Sequence, residues 1–248
     1  MITAKADIEK ADFLGGTLLL IDKPQNWTSF DVVNKVRWAI RRRLDIKKIK
    51  VGHSGTLDPM ATGLLLICTG KWTKRLHELQ GLPKQYTGTI TLGGETASYD
   101  KESEVINTHS LEGLTRASIK EAMESFLGDI DQFPPMFSAI KVKGQPLYKM
   151  ARRGESIELE ARKVSIQKFE MTNCVLPNVD FVVDCGKGTY VRSMAHDLGQ
   201  KLGCGGYLSA LRRTAVGSYS IEDAWPLDTL IEAIENEIVV SDKQNTVI

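Results

Sequence analysis

The residues best placed to do chemistry in this 248-residue chain lie in the stretch GHSGTLDPMATGLLL, residues 52–66. Gly52 and Gly55 allow the main chain positive φ and close approach to a partner. Pro59 fixes its own φ and pushes Asp58 toward extended geometry. The carboxylate of Asp58 is thereby presented stiffly on the loop that feeds the apolar run LLLICT, a buried strand opened by Gly63. A carboxylate held in this way can serve as nucleophile or base. Asp before Pro is also a common turn former that bonds its own backbone, so spacing alone leaves both readings open. Much later, Tyr190 and Arg192 stand two positions apart. On an extended segment they point to one side and can share a site; the alternative is a core tyrosine beside a surface cation.

The elements that must position these groups are many and short. Residues 17–21 form an apolar strand ended by Lys23-Pro24, and Ser29 can cap the helix that follows. In that helix Phe30, Val33, Val36, Ile40 and Leu44 keep helical spacing, leaving arginines on the outer face. A helix over 71–80 stops at Gly81, and Thr87, Thr89 and Thr91 alternate along a strand that begins at Tyr86. Ser118 and Glu121 read as a capping box for a helix over 119–127. The paired prolines of FPPMFSAIKV (133–142) exclude a helical start there, and 148–153 make a short basic helix. Residues 164–175 and 179–184 pair as a hairpin across Leu176-Pro177-Asn178, a helix runs over about 193–202, and 207–216 read as a strand. An acidic helix over 227–238 closes the pattern. Paired strands with interspersed helices and no regular βαβ alternation predict an α/β fold of the α+β kind, with a mixed, mostly antiparallel sheet. One domain is expected over 15–240, with a loose leader over 1–14 and a short tail over 241–248.

A net charge of +1 gives no global warrant for nucleic-acid binding, so that reading rests on local clustering. Lys35, Arg37, Arg41, Arg42, Arg43, Lys47, Lys48 and Lys50 fall together with only Asp45 opposing them. Such a stripe follows phosphates or is a solvated helix face. Arg212 and Arg213 are further candidate phosphate contacts. Cys68, Cys174, Cys185 and Cys204 are scattered without metal-ligand spacing, which fits reduced thiols in a cytosolic protein. The N-terminus carries no signal-peptide core, and no apolar run is long enough for a membrane span. A cytoplasmic protein that needs no membrane is expected.

Four motifs, in order across residues 16–225, resemble those of the TruB family of tRNA pseudouridine synthases, which act on uridine 55 of the T loop. They are K-P-x-G-x-x-S at Lys23, with Asn26 for the usual glycine; G-H-x-G-x-L-D-P at Asp58; K-x-Y at Tyr86, with Gln85 where arginine is usual; and K-G-T-Y-x-R-S-x-A-x-D-L-G at Tyr190 and Arg192. FPPMFSAIKV is similar to the family's P-P-x-Y-S-A-I-K-V with Phe137 for tyrosine, and 96–105 is loosely similar to T-x-T-x-D-x-x-G-x-V. The resemblance implies that Asp58 is the nucleophile and Arg192 its ion-pair partner, and that Tyr190 abuts the reacting uracil and can take its C5 proton. It also implies that Tyr86 stacks on the target base, that His53 fills the gap left in the RNA and that Leu211 lines the base pocket. Lys23 and the basic helix would hold the T-arm backbone. The implied fold is the pseudouridine synthase core with a catalytic cleft across the sheet. The reaction needs no cofactor and no metal, and a monomer is expected. Many relatives carry a C-terminal PUA domain for which this chain is too short. Attack at C6, attack at C1′ and a glycal route all remain open. Two alternatives stand beside this reading: a non-catalytic tRNA-folding chaperone using the same surface, and a synthase acting on another structured RNA.

Overall fold

The computed structural model describes residues 1–2, 6, 8–138, 140–142, 144–155, 157 and 159–236. In chain order, β1 (Leu18–Lys23) leads into α1 (Ser29–Arg43), followed by β2 (Val51–His53) and β3 (Thr62–Thr69). A 3₁₀ stretch, Gly70–Arg75, runs into α2 (Leu76–Gly81), so the single helix expected there is split. Next come β4 (Lys84–Leu92), the pair β5 (Gly94–Thr96) and β6 (Val105–Thr108), α3 (Arg116–Glu124) and β7 (Gly128–Gln132). The small strands β8 (Lys141–Val142) and β9 (Gln145–Pro146) precede α4 (Leu147–Ala151). The chain continues through β10 (Arg162–Val175), β11 (Asn178–Cys185) and α5 (Val191–Lys201). It closes with β12 (Gly206–Val216), β13 (Tyr219–Ser220), β14 (Trp225–Pro226) and α6 (Leu227–Glu235).

Two compact units are formed: Met1–Lys84 with the segment from Arg212 onward, and Gln85–Leu211. In the first, the strands run in the order β14-β1-β3-β12, with β2 on β3 and β13 on β12. β1 is antiparallel to β3 from Leu18↔Cys68 to Lys23↔Gly63, whereas β14 joins β1 and β12 joins β3 in parallel. The runs LLLI and LLLIC are continuous rather than alternating because both faces of this sheet are covered. Leu19, Ile21, Leu65 and Ile67 pack with Val32, Val36 and Ile40 of α1 and Leu230 and Ile234 of α6. Leu18, Leu20, Leu64 and Leu66 face a second cluster that includes Val216. Residues 8–14 are not loose, contrary to the sequence reading: Ile8 and Phe13 are buried in the first cluster, and Ile2 N–H donates to the Leu18 carbonyl at 2.7 Å.

In the second unit the order is β12-β4-β11-β10-β7. The expected hairpin is present, with β10 and β11 antiparallel up to Val175↔Asn178. Phe169 sits edge-on between Phe126 and Phe181, with centroids 5.8 and 5.6 Å away. Helix α3 begins earlier than its sequence predicted. Thr115, not Ser118, is the N-cap, and Ser118 takes the reciprocal position of the capping box. The strand pairing is mixed and mostly antiparallel, as the sequence pattern predicts.

Candidate active site

Asp58 lies on the loop between β2 and β3, partly exposed, and its own carbonyl accepts from Ala61 N–H at 3.1 Å. The loop is tethered on both sides of this residue. Ser29 Oγ accepts from Leu57 N–H at 2.8 Å and donates to the Leu57 carbonyl at 3.1 Å. Ser29 is therefore a bracket for the loop, and the cap of α1 is Thr28, which forms its box with Asp31. On the other side Lys23, 0% exposed, donates from Nζ to the carbonyls of Pro24, Trp27 and Pro59 at 2.9, 2.6 and 3.4 Å. Asn26 N–H adds a 2.8 Å bond to the same Pro59 carbonyl.

Asn26 holds φ at +65°, the left-handed region that favours glycine and, among other residues, admits asparagine most readily. It thus preserves the loop path where the motif usually has glycine. Replacing Asn26 by valine is expected to destabilise the protein by about 1–2 kcal/mol, and by glycine hardly at all, as read from urea unfolding midpoints.

Arg213, 2% exposed, donates to the Leu64 carbonyl at 2.6 Å and to the Gly55 carbonyl at 3.2 Å. Its backbone lies against Gly63, where φ is +103° and an added Cβ would stand 2.3 Å from the Arg213 carbonyl oxygen. Only glycine lets β3 and β12 meet there. Arg212 forks onto Asp22 at 3.0 and 2.7 Å. Lys23 and Arg213, which the sequence offers as phosphate contacts, are both buried, and a buried cation needs acceptors; theirs include main-chain carbonyls that shape the Asp58 loop. His53 stands at the end of β2, with Nδ1 accepting from Gly55 N–H at 3.3 Å. Burial, and then the Arg213 charge, push its pKa down, so the ring is neutral with its proton on Nε2.

In the second unit, α5 starts at Val191 and not near Ser193. Tyr190 is its N-cap at φ −100° and ψ 106°, while Arg192 already lies in the first turn. They are neighbours at a helix start, not on one extended segment. Gln132, buried, clamps the Tyr190 backbone from both ends, accepting from its N–H at 2.7 Å and donating to its carbonyl at 3.1 Å. Ser193 Oγ donates to the Phe133 carbonyl at 2.8 Å. Arg192, 5% exposed, donates to the carbonyls of Ser98 and Phe137 at 3.1 and 2.9 Å and lies 3.4 Å from Asp100 Oδ2. Asp100 is 1% exposed, and its Oδ1 accepts from Ser98 Oγ at 2.5 Å and from Glu102 N–H at 3.0 Å. Tyr86 on β4 is nearly buried, and Leu211 lies on the adjacent strand β12.

The structure therefore groups Lys23, His53 and Asp58 around one loop, and Tyr190 with Arg192 at one helix start. Sequence reasoning missed Ser29 as a bracket, Gln132 as a clamp and Asp100 as the carboxylate beside Arg192. Of these only Asp100 had a signal, in the loosely matched motif over 96–105.

Along α1, Phe30 and Trp38 are exposed, with Arg42 5.3 Å and Lys35 5.9 Å from the Trp38 ring centroid. Lys47, Lys48 and Lys50 are exposed beyond the helix. Arg37 and Arg43 instead bond carbonyls, Val51 for the first and Ile8 and Glu9 for the second. Among the described residues, no helix is long and apolar enough to cross a membrane, and no three His, Cys, Asp or Glu side chains are grouped to hold a metal ion.

Solved structures share this architecture. A chain of a Cbf5-Nop10-Gar1 complex superimposes with a TM-score of 0.67 and 28% identity, covering 94% of this chain and 58% of that one. A chain from an H/ACA RNP bound to a substrate RNA containing 2′-deoxyuridine gives 0.62 and 25%, covering 93% and 56%. This chain thus spans under two thirds of either solved chain. Its fold is that of the pseudouridine synthases. The model of the TruB family pseudouridylate synthase N-terminal domain matches residues 41–191, and that of the tRNA pseudouridylate synthase B C-terminal domain matches 192–244. The tRNA pseudouridine synthase B of Flavobacterium johnsoniae is 50% identical over 225 residues, 90% of this chain and 98% of that protein. That of Opitutus terrae is 51% identical over 217 residues, 88% and 87% of the two. The chain belongs to the TruB family of pseudouridylate synthases.

Proposed function

We propose that this protein isomerises uridine 55 in the T loop of tRNA to pseudouridine, with Asp58 as the reacting carboxylate. The observation that carries the reading is the Asp58 loop itself. Buried Lys23 and Arg213 and the Ser29 bridge fix its backbone, while the Asp58 residue stays partly open. In the reaction the N1–C1′ bond breaks, the uracil turns, a C5–C1′ bond forms, the C5 proton leaves and N1 takes up a proton. No electrons are gained or lost overall, and a carboxylate meets the positive charge that develops at the sugar or adds to the base.

Arg192 serves as the cation that keeps Asp58 ionised in a dry site, and Tyr190 takes the C5 proton. Flipping the base costs a few kcal/mol of stacking, and Tyr86 recovers about 1–3 kcal/mol by stacking on the extruded uracil. Tyr86 is 9% exposed, so little side-chain freedom is lost when RNA binds. His53, neutral, fills the space left in the T loop, and Leu211 packs against the base. Lys35, Arg42, Lys47, Lys48 and Lys50 follow the T-arm phosphates.

The test is tritium release from a T-arm hairpin carrying C5-labelled uridine. The wild-type protein is expected to release label, and Asp58→Asn to be slower by at least about 10³-fold with RNA affinity retained. Equal release by the variant would overturn the proposal.

A further inference from the structure

We infer that Tyr99 and His196 form a stacked pair whose task is to hold the Ser98–Asp100 turn against α5, so that Arg192 keeps one orientation for the reaction. The inference rests on the reading that Arg192 serves Asp58. Tyr99 lies between the two residues of that turn that meet the guanidinium, Ser98 through its carbonyl at 3.1 Å and Asp100 through its carboxylate at 3.4 Å. His196 follows Arg192 by four residues on α5 and so lies on the same face, one turn further along. The Tyr99 and His196 rings stack with centroids 3.9 Å apart and planes 10° from parallel. One ring contact therefore ties the turn that carries both acceptors to the helix that carries their donor.

Tyr99 adopts φ +63°, a conformation that an L side chain takes at a cost and glycine takes freely. A tyrosine there indicates that the ring has work to do. On the helix side, His196 Nδ1 is buried without a hydrogen-bond partner among the described residues. Burial also pushes the His196 pKa down, so two neutral rings face each other. The Tyr99 backbone is secured separately, because its carbonyl accepts from Leu208 N–H at 3.0 Å. Substituting the ring therefore need not unseat the chain. Tyr99 and His196 are positioning residues that act through Asp100 and Arg192.

Three variants separate ring from backbone. Tyr99→Gly keeps the favoured φ and removes the ring, His196→Ala removes the stack from the helix side, and Tyr99→Phe keeps the stack. With a tRNA transcript and tritium release as the readout, Tyr99→Gly and His196→Ala are expected to lose about ten- to thirtyfold in kcat with KM changed less than about twofold. Tyr99→Phe is expected to recover kcat to within about twofold. In an Asp100→Asn background, Tyr99→Gly is expected to cost less than about threefold more, since both changes loosen the same guanidinium. Wild-type kcat in both Tyr99→Gly and His196→Ala, a change confined to KM, or losses that multiply with Asp100→Asn would each overturn the inference. Asp58→Asn run alongside distinguishes the two claims. If it is inactive while the stack variants are normal, only the stack proposal falls; if it is fully active, the reading of the reaction falls first.

Discussion

Asp100→Ala is expected to destabilise the protein by about 3–5 kcal/mol, the usual consequence of removing one partner of a buried ion pair. Asp100 and Arg192 are 1% and 5% exposed, so water cannot replace the lost carboxylate 3.4 Å from the guanidinium. The same change removes the carboxylate bonds from Ser98 Oγ and Glu102 N–H, leaving Ser98 Oγ with its longer 3.3 Å bond to the Asp100 carbonyl, so the turn that presents the Ser98 carbonyl to Arg192 loosens as well. A urea titration should show the midpoint falling with little change in slope. Asp100→Asn divides charge from shape. An asparagine oxygen can still accept both bonds, so its stability loss should be clearly smaller than alanine's. Its kcat for tritium release should nevertheless fall by about 10²-fold, because Arg192 loses the carboxylate that holds its orientation and turns toward other acceptors. Wild-type kcat in Asp100→Asn would mean that Asp100 only shapes the turn and that Arg192 needs no second carboxylate.

What the sequence revealed was what neighbouring residues decide among themselves. The Gly–Asp–Pro chemistry of 52–59 specifies a stiff loop, the runs LLLI and LLLICT specify strands covered on both faces, and Leu176-Pro177-Asn178 between two β-rich stretches specifies a hairpin. Competition between adjacent candidates was not legible. Thr28 and Ser29 can each cap α1, and the choice falls to Thr28 because Ser29 is engaged by Leu57, 28 residues away. Buried cations were the largest gap. Lys23 and Arg213 look like solvent-facing charges until the carbonyls of Pro59, Leu64 and Gly55 converge on them, and no local pattern encodes that convergence. The division into two units was hidden for a related reason. The chain passes between them within β4 and β12, so no linker composition marks either crossing. Ile8 and Phe13 escaped notice because isolated apolar residues in a polar leader have no periodicity to read.

Lys23→Met decides between a brace for the Asp58 loop and a phosphate contact. Methionine keeps most of the buried stem and deletes the ammonium, leaving the Pro24 and Trp27 carbonyls without this donor and the Pro59 carbonyl with only Asn26 N–H among the bonds described above. At about 0.5–1.5 kcal/mol net for each of the three part-buried hydrogen bonds lost, the expected loss of stability is about 2–4 kcal/mol. Because the slackened segment includes Pro59, next to Asp58, kcat should fall by about 10²-fold even under conditions where the protein is fully folded. RNA binding distinguishes this account from a phosphate contact. A cation that neutralises a phosphate releases counterions, so its removal flattens the dependence of log Kd on log salt by about 0.7–0.9 per contact. Lys23 is 0% exposed, and the slope for Lys23→Met should match wild type. The slope for a Lys47→Ala, Lys48→Ala double variant, drawn from the exposed basic run, should drop by between one and two. A flattened slope in Lys23→Met with kcat intact would return Lys23 to the RNA-binding surface and leave the Asp58 loop without one of its braces.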